Sequence, residues 1–223
     1  ALHADEVPAM LAALELKKLL LQAEADGQLL GEVVLVPYAN PLGLAQHLHG
    51  QHHGRFAMHD GLNFNRGYAE LAQDVAKKIG PTLSRDAQAN TPLIRAALRE
   101  AAQALSAHTP AQDLKRRLLQ NAIDADIVID MHCDSDAVMH LYSLTPHAHM
   151  AQELGAQLGA RAVLLATESG DSPFDEACSR PWLDLQRMME PTLGKDAIAL
   201  ACFSATVELR GEADVSHELA RQD

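Results

Sequence analysis

A chain of 223 residues, 48% hydrophobic and 22% charged, has the length and composition to bury a sizeable core as one soluble globular domain. Its formal net charge of -12 argues against nucleic acid or an anionic membrane as partner, since both reward a basic face. Three cysteines are too sparse and too odd in number for a disulfide framework, which fits a reducing, cytoplasmic setting; no run of about 18 apolar residues marks a membrane span, and no charged-then-apolar leader opens the chain.

The first stretch, Ala1-Leu2-His3-Ala4-Asp5-Glu6, sets an imidazole and a carboxylate three residues apart. Ala1-Leu2 reads as the last step of a strand whose earlier part lies outside these residues. Residues 7–25 carry Val7, Met10, Leu11, Leu14, Leu19 and Leu20 near helical period, with Pro8 tolerated in the first turn, and Asp26-Gly27 closes that helix. The β-branched run Glu32–Pro37 predicts a buried strand ended by proline. Residues 38–66 have no sustained period and are rich in Gly, His and Asn, which predicts a long loop of the functional or disordered kind.

Helices are predicted over 68–80 and 91–122, the second interrupted near His108-Thr109-Pro110. Ala125–Asp130 predicts a strand apolar on both faces, running into Met131-His132-Cys133-Asp134. A short strand around Met139–Tyr142, a helix near 147–158, a strand at Ala162–Ala166, a helix near 181–190 and a strand at Ala199–Leu209 complete the order. There is no internal repeat. Alternating strands and helices define an α/β fold, here a three-layer sandwich with helices on both faces of a mixed, mainly parallel sheet. In such sheets ligands gather beyond the carboxyl ends of the strands, where His3, Asn40, His132 and Glu208 fall.

His3, Glu6 and His132 supply two imidazoles and a carboxylate, two close in sequence and one distant, which suits a catalytic zinc with a water in its fourth position. Taken alone, His132 reads first as a hydrogen-bonded histidine at the core edge; taken with His3 and Glu6, that preference reverses. Asp130, or a backbone carbonyl, is placed to fix its tautomer. Glu208, in the alternating run Ala205–Arg210, is either a general base or a salt-bridge partner of Arg210. Arg55 and Asn63-Phe64-Asn65-Arg66 form an Arg- and Asn-rich stretch suited to a carboxylate or oxyanion pocket. His47, His49, His52, His53 and His59 in the same loop match no rigid structural metal site, and Gly50 and Gly54 read as marks of mobility. Cys133 and His132 point apart as strand neighbours, no G-x-S-x-G elbow occurs, and Gly170–Glu176 reads as a turn or pocket rim.

Leu2-His3-Ala4-Asp5-Glu6, Asn40-Pro41-x-Gly43, Gly54-Arg55-Phe56, Asn63-Phe64-Asn65-Arg66, Asp130–Asp134 and Val207–Gly211 together resemble the succinylglutamate desuccinylase/aspartoacylase family of zinc carboxypeptidase-like hydrolases. The resemblance spans nearly the whole chain. It implies that His3, Glu6 and His132 bind zinc, that Glu208 is the catalytic carboxylate, that Arg55 polarises the scissile carbonyl, and that Asn65 and Arg66 hold the substrate carboxylate. The implied reaction is hydrolysis of the amide bond of an N-acyl amino acid, a small-molecule substrate, with homo-oligomerisation allowed. It further implies one catalytic domain over 1–223, with an N-terminal strand and a C-terminal β-rich region outside it. A metallocarboxypeptidase acting on peptide C-termini and a non-catalytic metal- or anion-binding module are the competing readings; the joint presence of Glu208 and a full ligand set opposes the second.

Overall fold

The computed structural model describes residues 1–223, in the order α1 (Val7–Ala25), α2 (Pro41–Leu44), β1 (His47–Leu48), β2 (Gln51–His52), α3 (Ala72–Ile79), α4 (Ala87–Ala104), α5 (Pro110–Ala122), β3 (Ile127–Asp134), β4 (His140–Leu144), α6 (Ala148–Leu158), β5 (Ala162–Ala166), α7 (Phe174–Leu193), β6 (Phe203–Gly211) and α8 (His217–Gln222). Four strands form the main sheet in the order β3-β6-β4-β5. The β3/β6 and β4/β5 ladders are parallel and β4/β6 is antiparallel, so the sheet is mixed.

Alternation along β6 divides the core in two. Phe203, Ala205, Val207 and Leu209 face a cluster with Ala9, Met10 and Ala12 of α1, Ala151 of α6 and Ala220 of α8. The intervening residues face α7, and the Ser204 hydroxyl donates to Ser179 Oγ of that helix at 2.6 Å. Behind β3, Val128 packs in a larger cluster with Cys178, Trp182 and Leu185 of α7, Val75 of α3, Ile94 and Leu98 of α4, and Leu119 of α5. Helices thus cover both sheet faces, a three-layer α/β sandwich. Fully buried Trp182 centres the larger cluster; truncating such a side chain to Ala costs about 3–5 kcal/mol.

Local signals explain most boundaries. Asp86 caps α4 by accepting from Gln88 N and Ala89 N, Thr109 caps α5 by accepting from Gln112 N, and Gly159 ends α6 in the left-handed region that favours glycine. The break at His108–Pro110 therefore separates two helices. Helix α7 begins at Phe174 instead of near 181, and the expected turn at Gly170–Glu176 yields its first turn. Asp175 and Glu176 there complement the positive end of the helix dipole, while the interior Pro181 and Pro191 obscure the helical signal in the sequence.

Three further expectations are corrected. Residues 32–37 form no strand, and Val33, Val34 and Val36 stay exposed, because none of the four sheet strands offers them a ladder. Strand β3 is not buried on both faces: Ile127 and Ile129 are 57% and 39% exposed at the sheet edge, while Val128, Asp130 and His132 point inward. Gly54 is pinned by hydrogen bonds instead of being a point of mobility. No helix is long and apolar enough to cross a membrane.

Candidate metal centre

The turn His3–Glu6 leads directly into α1 and is held by groups remote in sequence. Glu6 N donates to His3 O at 3.1 Å, closing the turn. Buried Asn40 donates from Nδ2 to Leu2 O at 2.8 Å and accepts Gly43 N on Oδ1 at 2.8 Å, capping the short α2. Ala4 N donates to Gly54 O at 3.0 Å, and Gly54 N donates to Asp5 Oδ2 at 3.3 Å. A Cβ on Gly54 would stand 2.1 Å from Asp5 N, so only glycine allows the two backbones to approach this closely. The phrases around Asn40 and Gly54 are thus braces for the ligand turn.

Within this frame His3, Glu6 and His132 offer ligand atoms that all lie within 4.8 Å of one another, and all three residues are buried. His3 Nδ1 is 2.8 Å from Glu6 Oε1, and His132 Nδ1 is 2.6 Å from Glu6 Oε2. The outer nitrogens also face acceptors: His3 Nε2 lies 2.9 Å from Asn63 Oδ1 and His132 Nε2 lies 2.8 Å from Asp130 Oδ2. Asn63 Oδ1 also accepts Asn65 N at 2.8 Å, which sets the orientation of that amide. Each ring therefore carries its proton on Nε2 and turns the Nδ1 lone pair inward, unless a second proton fills the gap to Glu6. A divalent cation fits that gap: it satisfies two nitrogens and a carboxylate whose other contacts are Arg55 and Cys133 N.

The electrostatics of the cluster favour positive charge beside Glu6. Burial opposes ionisation of Glu6, yet the hydrogen bonds from His132 and His3 overcome it and hold the carboxyl down at about 2. Burial likewise opposes protonation of His132, but Asp130 and Glu6 on either side of the ring push it up to about 10. Cys133 is pushed up to about 12, by burial first and then by Glu6 and Glu208, so it is no nucleophile at neutral pH.

Glu208 lies beside His132 by register, since β3 and β6 pair the two residues directly. Paired residues share a sheet face. On the other side β4 pairs His140 with Glu208, so His132, Glu208 and His140 form one row across three strands. Glu208 Oε2 is buried without a hydrogen-bond partner, and the carboxyl titrates above the usual carboxylate range, chiefly because of burial. The salt bridge with Arg210 is absent: Arg210 makes a bidentate pair with Asp223 at 2.8 and 2.7 Å. Its φ of 67°, with the register shift between His132 and Asp134, marks a bulge at this end of the ladder.

The remaining expected site residues surround this row. Arg55 is half exposed at the mouth and donates from Nη2 to Glu6 Oε1 at 2.8 Å. Asn65 is buried; its Nδ2 donates to Asp130 Oδ2 at 3.3 Å, and its Oδ1 accepts Phe174 N at 2.9 Å. Its amide nitrogen also lies 3.1 Å from His132 Nε2, but that nitrogen donates to Asp130, so the amide proton goes to the carboxylate as well. Arg66 is exposed and donates to Asn65 O at 2.7 Å, while buried Lys115 of α5 donates to Arg66 O at 2.6 Å. Sequence reasoning assigned no individual role to Asn63, His140 or Asp175, although Asn63 falls in the Asn63–Arg66 stretch and Asp175 in the Gly170–Glu176 stretch. Asp175, buried in the first turn of α7, is pushed up to about 7 by burial and then by Asp130. Only the Asn63–Arg66 phrase and the strand position of His140 signalled any of them.

Fold and site together define an α/β protein in which two histidines and a carboxylate that could hold a metal ion converge between the turn before α1 and the end of β3, beside a carboxylate without a hydrogen-bond partner. The model of the succinylglutamate desuccinylase/aspartoacylase catalytic domain matches residues 1–223, and the chain belongs to that family. A solved succinylglutamate desuccinylase/aspartoacylase family protein from Shewanella amazonensis is similar over 100% of this chain and 59% of its own, at 28% identity and a TM-score of 0.83. A second protein of like description, from Shewanella frigidimarina, is similar over 100% of this chain and 58% of its own, at 26% identity and a TM-score of 0.81. The chain thus spans about three fifths of the length of these relatives. A comparison with functionally curated proteins returns no match.

Proposed function

We propose that this chain forms the catalytic centre of a zinc-dependent hydrolase that cleaves the amide bond of an N-acyl amino acid or a related small amide. The observation that carries the reading is the convergence of His3 Nδ1, Glu6 and His132 Nδ1, with both outer ring nitrogens tied to acceptors and the unpartnered Glu208 alongside. Zinc held by those three side chains would acidify a water and polarise a carbonyl oxygen. Glu208 accepts the proton that the attacking water loses and returns it to the leaving nitrogen. Its raised proton affinity suits a carboxylate that must both take and give. Arg55 turns from Glu6 to the substrate carbonyl and stabilises the oxyanion. Arg66 pairs with the substrate carboxylate as a guanidinium fork, and Asn65 sets the backbone from which Arg66 reaches while fixing Asp130 behind His132. The net charge of -12 fits a small-molecule partner, with no nucleic acid or membrane involved.

The test is a panel of N-acyl amino acids and short peptides, with and without a chelator, on the parent and on Glu208→Gln. Acyl amino acids should turn over, the chelator should abolish the activity, and Glu208→Gln should lose about 10²- to 10⁴-fold in kcat with its metal retained. A Glu208→Gln variant with near-full rate would remove Glu208 as the base. Cleavage confined to peptide C-termini would make the protein a metallocarboxypeptidase.

A further inference from the structure

The histidines of the 38–66 stretch are not scattered over a shapeless loop. His47–Leu48 and Gln51–His52 pair as an antiparallel hairpin with His47 directly opposite His52. The turn residues His49 and Gly50 both have positive φ, 50° and 80°, the conformation that closes a two-residue hairpin with the natural strand twist. Directly opposed side chains project from the same side of a hairpin. The His47 and His52 rings accordingly lie with centroids 5.0 Å apart and planes inclined by 28°.

Two features turn this pair into a prepared ligand set. His52 Nε2 lies 3.0 Å from Gly43 O, and a carbonyl only accepts, so Nε2 carries the proton and the Nδ1 lone pair is free. A ring nitrogen tied to a carbonyl is the usual support behind a metal-binding imidazole. The hairpin base is also fixed. His53 N donates to Gln46 O at 3.0 Å, and Gln46 Nε2 donates to His53 O and Phe56 O at 2.7 and 2.8 Å. His47 is exposed, so its ring is free to present a nitrogen beside His52.

We propose that His47 and His52 form a second metal site, peripheral to the centre at His3, Glu6 and His132, that takes one borderline transition-metal dication through two imidazole nitrogens with water completing the shell. Imidazole pairs favour Cu²⁺, Ni²⁺ and Zn²⁺ over the oxygen-seeking Mg²⁺ and Ca²⁺. The site is independent of the hydrolytic reading, because neither histidine belongs to the inner ligand cluster. The hairpin runs into Gly54, whose backbone bonds to Ala4 and Asp5, so an ion held there also stiffens the approach to Arg55.

The experiment titrates Cu²⁺ into the parent protein and into the double variant His47→Gln/His52→Gln, with equilibrium dialysis for stoichiometry and electron paramagnetic resonance for the ligands. The parent should bind one equivalent more than the variant, and, with the inner centre's own His3/His132 signal removed by His132→Ala in both proteins, should show a two-nitrogen component that the variant lacks. Both substitutions lie on a partly exposed hairpin, so circular dichroism should show the two proteins equally folded. Equal stoichiometry, or loss of an equivalent without loss of a two-nitrogen component, would overturn the proposal. His132→Ala should leave the hairpin component intact, which separates this outcome from failure of the hydrolytic assignment.

Discussion

Metal binding at the inner centre should release about one proton, and the proton should come from His132. Without a metal its ring sits between Asp130 and Glu6, which hold it protonated up to about 10. A metal on His132 Nδ1 must displace that proton. One pH unit is worth about 1.4 kcal/mol, so each unit by which the ring's proton affinity exceeds the solution pH costs the metal about tenfold in affinity. Proton and metal compete for one nitrogen, and the proton loses ground as pH rises, so affinity must rise with pH. Between about pH 6.5 and about pH 8.5 the apparent affinity for Zn²⁺ should increase about tenfold per unit. Isothermal titration calorimetry in two buffers of different ionisation enthalpy reads the released proton directly. In Asp130→Asn the ring loses the neighbour that most favours its proton, so release should fall below one while affinity drops about 10- to 100-fold through loss of the outer support. Affinity independent of pH across that window, or binding with no proton released, would refute the reasoning.

Two more predictions bear on the same row of residues. Glu208 must be ionised to act as base and is pushed above the usual carboxylate range, so the acidic limb of kcat/KM should lie above that range, with activity lost as pH falls through it. His140 acts on Glu208 in the direction opposite to burial, so His140→Ala should move that limb to higher pH; an unmoved limb would remove His140 from the electrostatics of the base. Gly54→Ala forces a Cβ against Asp5 N at 2.1 Å and should destabilise the fold by about 1–3 kcal/mol, read as a lower Tm, with weakened metal retention at His3 and Glu6. A variant with parental Tm and parental metal content would show that the turn tolerates displacement.

The sequence by itself determined the α/β order and most helix positions, and singled out the three side chains, His3, Glu6 and His132, that the fold brings together as a candidate metal site. Those features rest on local period and on residue types that few other roles explain: His3 and Glu6 sit one turn apart before a helix, and His132 ends a strand. It misread Glu32–Val36, because a β-branched run has strand propensity but only a neighbouring strand provides a ladder. It also missed the start of α7, whose helical signal is broken by two prolines. Only the tertiary structure removed the salt-bridge reading of Glu208, since the partner that takes Arg210 out of contention is Asp223, fifteen residues on from Glu208. It alone aligned His140 with Glu208 across an antiparallel ladder, set Asn63 behind His3, and turned the His47–His53 run into a hairpin with an opposed pair. Each of these depends on contacts between residues whose separation along the chain carries no period, so they exist only once strands, turns and backbones have been brought together.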